Sequence, residues 1–372
     1  MSVFLFMMLG AFVICAMAWA FFRGHKQNGW RSMYRITLGE AAVVFLLVAV
    51  VSGLTIGISA YQNRHDVELI AGAVTDKKQV RVSCEHSYPC RCRTVCTGAA
   101  KTRSCRTVCD TCYRHTHDYD WRVYTTIGSL NIQRIDSQGT GQPPRWTQVV
   151  IGEPVAEHRS YTNYIKGAQH TLWNNTISEE EMARFRSIVP AHPQVFDYYR
   201  VNRALVSPGT RVANIQDWSD RIAAELRDLG AKKQVNIIVV FTNRGREYVE
   251  ALERVWLGGK KNDVVVVMGI EGENVTWSQV FTYARSSGNE LLTVKLRDAI
   301  MEVGEPITNA EAYVRVIRSN IEEAYKRKSM EEFEHLASES GPTTTGITIA
   351  AVLGLIILIG GLIVAHKVEF FK

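Results

Sequence analysis

The chain has 372 residues, 46% hydrophobic and 22% charged, with 43 Lys+Arg against 37 Asp+Glu and a net charge of +6. The apolar content excludes a disordered chain, glycines without period exclude a collagenous one, and the length excludes a scaffold held by disulfides alone. The balance is only mildly basic and carries no RNA- or DNA-binding signature, so no nucleic-acid partner is expected.

Three uncharged apolar runs punctuate the chain: Val3 to Phe22, Ala41 to Ala60 and Ile347 to Ala365. At about 1.5 Å per helical residue each reaches roughly 30 Å, the hydrocarbon thickness of a bilayer. Backbone in lipid must satisfy its own hydrogen bonds, so three transmembrane helices are predicted. The first run is not read as a cleaved signal, because its first basic residue, Arg23, follows the apolar stretch. Arg23, Lys26, Arg31 and Arg35 crowd the short loop after it, and Lys367 and Lys372 follow the third run. That bias predicts an N-terminus outside, a large periplasmic or otherwise extracytoplasmic middle, and a cytoplasmic tail.

The expected organisation is helix 1–22, basic cytoplasmic loop 23–40, helix 41–60, a Cys-rich and β-rich subdomain 61–175, an α/β domain 176–343, helix 344–365 and tail 366–372. Gly53 and Gly57 form a GxxxG pair, and Gly346, Ala350 and Gly354 recur at four-residue spacing. Such faces serve packing within the chain, self-association, or nothing beyond the ordinary glycine content of membrane helices.

Seven of the eight cysteines fall between residues 84 and 112: Cys84, Cys90, Cys92, Cys96, Cys105, Cys109 and Cys112. Cys15, in the first apolar run, reads as a packing residue. The string Cys-Arg-Thr-Val-Cys occurs at 92–96 and again at 105–109, and His86, His115 and His117 interleave with the cluster. Two chemistries suit this set. Oxidised, it is a loop-rich knot with up to three disulfides and one cysteine left over, in any of fifteen connectivities. Reduced, Cys109-x2-Cys112 with Cys105, Cys96 or His115 offers the tetrahedral set that zinc favours. An extracytoplasmic location favours disulfides, whereas the odd count and the CxxC-x2-His spacing favour zinc. No thioredoxin-like strand–helix setting surrounds Cys109 and Cys112, so redox catalysis is not expected. Arg81, Arg91, Arg93, Lys101, Arg103, Arg106 and Arg114 make the segment basic, a contact for phosphate or anionic lipid or simply a solvated surface.

Downstream, Trp121–Ile127, Leu130–Ile135 and Thr147–Ile151 read as strands between Gly139-Thr-Gly141 and Pro143-Pro144, a small β-rich subdomain. Asp118 and Asp120 beside His115 and His117 are a further metal-capable set or a surface turn. Ser178-x-x-Glu181 is a capping box. Trp218, Ile222, Leu226 and Leu229 lie at helical spacing over Asp217–Leu229, with Gly230 as terminator. Val235–Thr242 and Val264–Met268 are continuous apolar strands fit for burial on both faces, with a helix over Glu247–Trp256 between them. A third strand, Val275–Tyr283, and helices Glu290–Val303 and Ala310–Leu336 follow, the last opened by Thr308-x-x-Glu311 and carrying Lys326-Arg327-Lys328 on a solvated face. The order predicts a right-handed βαβ crossover in a three-layer α/β domain.

The strand Val235–Thr242, the helix ending in Trp256, the Gly258–Asp263 loop and the strand Val264–Met268 resemble the TPM-domain family, over roughly residues 217–337. The resemblance implies an exported, membrane-anchored α/β module, described in some members as an acid phosphatase. In that reading Asp263 is the metal-binding or acid/base carboxylate, while the Gly258-Gly259-Lys260-Lys261 turn offers N–H groups and ammonium charge to phosphate. The plain alternative is a helix C-cap followed by a solvated lysine pair. The Cys-rich stretch through Asp118-Tyr-Asp120-Trp121, flanked by apolar runs, resembles uncharacterised membrane proteins of large tailed bacteriophages, which implies the host's inner membrane. No GxSxG elbow, Walker loop or HExxH helix is present. The expected function is an integral membrane protein whose extracytoplasmic domain binds or scaffolds a protein partner or a second copy. The alternatives are a membrane-tethered phosphohydrolase of TPM type and a zinc-stabilised interaction module.

Overall fold

A computed structural model describes residues 30–98, 104–168, 178–283 and 288–367. The first apolar run with Cys15, and Arg23, Lys26, Lys101, Arg103 and Lys372, lie outside the described residues. The chain divides into two compact units, one of Met1–Asp66, Tyr161–Asn175 and Met330–Lys372, the other of Val67–Ser160 and Thr176–Ser329. The β-rich and α/β segments thus share a unit.

Helix α1 (Trp30–Arg64) is followed directly by β1 (His65–Val82). The chain then forms β2 (Ser87–Thr97), β3 (Ser104–Tyr113), β4 (Asp118–Thr125), β5 (Ser129–Ile132) and β6 (Pro154–Thr162). One sheet has the order β5-β4-β1-β6. Its β1 and β4 run antiparallel from Val82↔Asp118 to Val74↔Thr125, with a bulge between Val74 and Asp76. Val74, Trp121, Val123, Ile132, Trp146 and Val155 close a core beneath it. The Thr147–Ile151 segment, expected as a strand, is not one. Pro144 opens a single helical turn, Pro144–Thr147, at the position where its missing N–H costs nothing. That turn sets the Trp146 ring edge-on to Trp121 at 5.2 Å.

The α/β part begins with α2 (Glu179–Ile188), where Ser178 Oγ accepts from the Glu181 N–H at 3.1 Å as the capping box requires. A short hairpin, β7 (Val195–Phe196) and β8 (Arg200–Val201), leads to β9 (Ala204–Val206), α3 (Ile215–Lys233), β10 (Asn236–Thr242), α4 (Tyr248–Val255), β11 (Asp263–Glu271) and β12 (Asn274–Thr282). The sheet order is β12-β11-β10-β9, with β9, β10 and β11 parallel and β12 returning antiparallel. All of β10 is buried, as an apolar run covered on both faces must be. On one face Val239, Phe241, Val266 and Met268 meet Trp218, Ile222 and Leu226 of α3, with α5 (Glu290–Glu302) and α6 (Ala310–Ala324) beside it. On the other, Ile238, Val240, Val265 and Val267 meet Val249 and Leu252 of α4, with Phe185 and Ile188 of α2. Each such side chain contributes about 1.5–3 kcal/mol by leaving water. Three layers result.

The connection from β9 to β10 carries α3 over one face, and that from β10 to β11 carries α4 over the other. Two steps in one direction across opposite faces have opposite hands, so the two crossovers differ in hand. Helix α3 also outruns its expected end at Gly230: it stops at Lys233, with Gln234 left-handed at φ 52°. Gly230 serves packing instead, since a Cβ there would lie 2.8 Å from the Ala71 side chain.

Two further expectations fail around α6. Asn309, not Thr308, caps it by accepting from the Ala312 N–H. The helix stops at Ala324 rather than Leu336, and Lys326, Arg327 and Lys328 lie beyond it in chain without regular secondary structure. Tyr325, buried, turns to ψ 131° and breaks the helical run.

In the other unit, α1 packs against α7 (Thr344–Lys367). Two stretches in them, Val43–Arg64 and Thr344–Gly361, are long and apolar enough to cross a membrane. Among the described residues, Arg31 and Arg35 lie on α1 and not in the expected loop. Gly346 sits against Ser59, where a Cβ would come within 2.0 Å of Oγ, and Ser52 Oγ donates to the Ala350 carbonyl at 3.3 Å. Gly354 on the same helix is buried. Gly53 and Gly57 are exposed and have nothing within 4 Å of a Cβ position. At the end of α1, Asn63 donates to the Gly341 carbonyl and Arg64 to those of Ser340 and Ala337, which occupies backbone acceptors between the 3-10 segment Met330–Ser338 and α7.

Candidate functional site

The Cys-rich segment is a long two-stranded hairpin and not a loop-rich knot. Strands β2 and β3 pair only with each other, and none of their described residues is buried. A hairpin of this kind, without a hydrophobic face, is marginal in water. Its order comes from three disulfides: Cys90–Cys112, Cys92–Cys109 and Cys96–Cys105. The repeated Cys-Arg-Thr-Val-Cys string explains the pairing. Run antiparallel, its two copies set Cys96 opposite Cys105, Val95 opposite Arg106 and Arg93 opposite Val108. A bulge between Cys90 and Arg93, with Arg91 left-handed at φ 47°, adjusts the register for the rung nearest the base. Taken singly, a cross-link closing a loop of this size stabilises by about 3 kcal/mol in the chain-entropy picture, and rungs nested inside it add less.

The arm so formed is basic, with Arg91, Arg93 and Arg106 exposed against Asp110. Tyr88 and Tyr113 are also exposed, at 46% and 57%. Arg and Tyr are the residue types that most often anchor protein interfaces.

The disulfides remove Cys109 and Cys112 from any shared CxxC ligand pair, because each belongs to a different rung. Cys96 and Cys105 are likewise consumed. The leftover cysteine is Cys84, buried at the base of the arm. There the Arg114 N–H donates to the His86 carbonyl and extends the ladder inward. His115, just past β3, brings Nδ1 to 3.8 Å from Cys84 Sγ and 3.0 Å from Asp118 Oδ1. Asp118 Oδ2 accepts from the Glu85 N–H at 3.0 Å and faces Arg134 at 3.3 Å. The Glu85 N–H holds the Asp118 carboxyl below the usual carboxylate range, aided by His115, Cys84 and Arg134 against the opposing effect of desolvation. Sequence spacing placed His115 with the thiols and Asp118 with His115, but only the hairpin shows that Cys84, and none of the others, completes the group.

The second candidate, Asp263, opens β11 at the amino edge of the parallel strands. Its Oδ1 accepts from Asn236 Nδ2 at 2.8 Å, and its Oδ2 lies 2.8 Å from His192 Nε2 and accepts from the Lys260 N–H at 2.7 Å. Arg203, fully buried, donates to Asn236 Oδ1 at 2.9 Å. Burial pulls its guanidinium down to about 10, against the opposing pull of the Asp263 charge. Leu257, Gly258 and Gly259 are all left-handed, with φ of 52°, 76° and 86°, which glycine tolerates at no steric cost. This turn folds the Lys260 N–H onto Asp263, and Lys261 Nζ stands 3.3 Å from Glu68. Of the turn, the Lys260 N–H thus goes to Asp263, the Gly258 and Gly259 N–H groups go to the Glu253 and Trp256 carbonyls, and the Lys261 ammonium goes to Glu68. Ligands of open parallel sheets bind beyond the opposite, carboxyl ends of the strands. At that edge Ser207, Thr210, Thr242 and Asn243 hydrogen-bond to one another, with no charged group among them. His192 carried no sequence signal, being a lone histidine between prolines of the His-Pro type.

A groove of about 860 Å³ lies elsewhere in the same unit, lined by Val150, Ile151, Tyr199, Arg200 and Arg227 among others. Tyr199 donates to Glu153 there, and burial raises its hydroxyl well above the usual range. No protein-family model matches the chain, and neither does any curated protein or solved structure.

Proposed function

We propose that this chain is an integral membrane protein with three spans, Val3–Phe22 among them, that presents an extracytoplasmic binding domain whose recognition arm is the cross-linked hairpin. The observation that carries the reading is a ladder of three disulfides on strands that bury nothing. Three cross-links make an arm rigid without a core, and a rigid arm loses little conformational entropy on docking. Disulfides persist in oxidising compartments, which supports an outside location, and the Lys/Arg of the short flanks support the N-out, tail-in orientation. The exposed arginines and tyrosines fit a protein surface of net negative charge, on another envelope protein or a second copy.

A photo-crosslinking residue placed at Tyr88, Thr94 or Arg106 of the full-length protein in its native membrane tests this, with exposed Leu291 as the control position. The expected result is a discrete adduct from the arm positions, lost when Arg91 and Arg93 are both changed to Glu. Arm positions that yield no more adduct than Leu291 would overturn the reading.

A further inference from the structure

We infer that Cys84, His115 and Asp118 form a mononuclear site for a divalent transition metal, zinc in the first place, at the root of the hairpin. The three residues come from two chain segments: Cys84 from the link after β1, and His115 with Asp118 from the link after β3 and its junction with β4. Their donor atoms all lie within 4.8 Å of one another.

The distances fit tetrahedral coordination. With Zn–S of about 2.3 Å and Zn–N and Zn–O of about 2.0–2.1 Å, the edges of the tetrahedron are about 3.6 Å for S···N and about 3.3 Å for N···O. The Sγ···Nδ1 and Nδ1···Oδ1 distances of 3.8 Å and 3.0 Å lie within a few tenths of an ångström of these two edges, and the thiol and carboxylate lie within 4.8 Å of each other.

The same geometry argues against a nucleophile relay. In a Cys-His-Asp triad the thiol faces one ring nitrogen and the carboxylate orients the other. Here thiol and carboxylate both face Nδ1, so three donors converge on one point instead of forming a line.

The surroundings match a built site. Glu85 N–H and Arg134 Nη1 occupy Asp118 Oδ2 and leave Oδ1 directed at the other two donors, the usual outer-shell arrangement for a ligating carboxylate. Arg134 is fixed in turn by Asp120, at 2.5 Å. Asp118 is inaccessible to solvent and Cys84 nearly so, whereas the His115 side chain is 22% exposed, so an ion enters from the His115 side. One thiolate and one carboxylate neutralise a divalent cation, and the soft–borderline–hard donor set suits zinc far better than calcium or magnesium. The site also accounts for the odd cysteine, the one kept buried beside two other ligands while its six neighbours are oxidised.

The test uses the full-length protein in detergent, stripped with chelator under non-reducing conditions and reloaded with zinc or cobalt chloride. Elemental analysis is expected to find about one zinc per chain, and the cobalt form a thiolate-to-metal absorption band. Cys84→Ser and His115→Ala should both abolish stoichiometric binding. Arg134→Gln, which removes a support of Asp118 without touching any of the three ligands, should weaken affinity by roughly 10–100-fold while keeping the stoichiometry. Intact mass after alkylation reports whether each variant retains its three disulfides. Should the Cys84 variant lose them, the wild-type chain decides alone: zinc is expected to protect Cys84 from alkylation. Substoichiometric metal after reloading, binding unchanged in a correctly cross-linked Cys84→Ser, or equal alkylation with and without zinc each overturns the site. None of these readouts depends on what the arm binds.

Discussion

Asn289 grips Lys326 by both of its backbone polar atoms, donating from Nδ2 to its carbonyl at 2.9 Å and accepting from its N–H at 3.0 Å. A side-chain amide here replaces the helical partners that Lys326 would find if α6 continued. The chain beyond Ala324 therefore peels away from the helix and delivers Arg327 to Glu68, at 2.5 Å. Asn289→Ala removes both bonds at a buried position and is expected to destabilise the unit by about 1–3 kcal/mol. Amide hydrogen exchange at residues 325–328 should quicken well before that of α6. Unchanged exchange there would show that the amide clamp is not what ends the helix.

Glu68, almost inaccessible, faces both Arg327 and Lys261. Burial raises its carboxyl above the usual 4.5, and the two cations only partly counter it. A raised carboxyl binds its proton more tightly in the folded than in the unfolded chain. Its contribution to stability is thus full below about pH 4.5 and is lost as pH rises through the folded value. Glu68→Gln cannot titrate, so wild type should lose ground against the variant as pH climbs from about 4.5 to about 7. Paired urea titrations measure this, and a margin that instead moves toward wild type across that range contradicts the sign.

The membrane-helix glycines divide into two sets that composition alone does not distinguish. Gly346 has no room for a side chain beside Ser59, whereas Gly57 faces open space. Gly346→Leu should therefore separate α1 from α7, and Gly57→Leu should not. Cysteines at positions 52 and 350, where Ser52 meets the Ala350 carbonyl, report the difference through cross-linking in membranes. Equal cross-linking in both variants would remove Gly346 from the contact.

The parts legible in the sequence are those whose burial is symmetrical. Val235–Thr242 and Val264–Met268 announce strands because every residue is apolar, and Trp218, Ile222, Leu226 and Leu229 announce a helix because only the 3.6 period joins them. The β-rich part is harder. Strand β1 has a polar stretch, Thr75 to Gln79, which owes its conformation to pairing with a distant strand, Asp76 opposite Tyr124 and Gln79 opposite Trp121 of β4. The arm's strands bury nothing, so hydrophobic periodicity has nothing to read. Cysteine counting anticipates three disulfides and a leftover, but the identity of Cys84 as the leftover depends on a register set by the repeated string. Asp263 attracts notice as an acidic residue before an apolar strand, yet its partners Asn236 and His192 are 27 and 71 residues away. A separation of 33 residues likewise hides Arg203 behind Asn236.

No residue of β2 or β3 enters any of the four hydrophobic clusters, so the arm shares no core with the sheets. Its order rests on the cross-links, and regions without buried apolar contacts open locally at little cost to the rest. Full reduction of the protein should therefore release hydrogen-exchange protection across 87–97 and 104–113 and leave β10 and β11 as protected as before. The rungs are nested, with sequence separations of 9, 17 and 22 residues, so they are not equivalent. Changing Cys96 and Cys105 together to Ser leaves the next rung closing a loop about twice as long, a difference of only about 0.6 kcal/mol in closure entropy. The arm's base should then stay protected while its outer third frays. If reduction instead unfolds β10 and β11 along with the arm, the hairpin is a structural member of the domain, and its standing as a separable recognition element is lost.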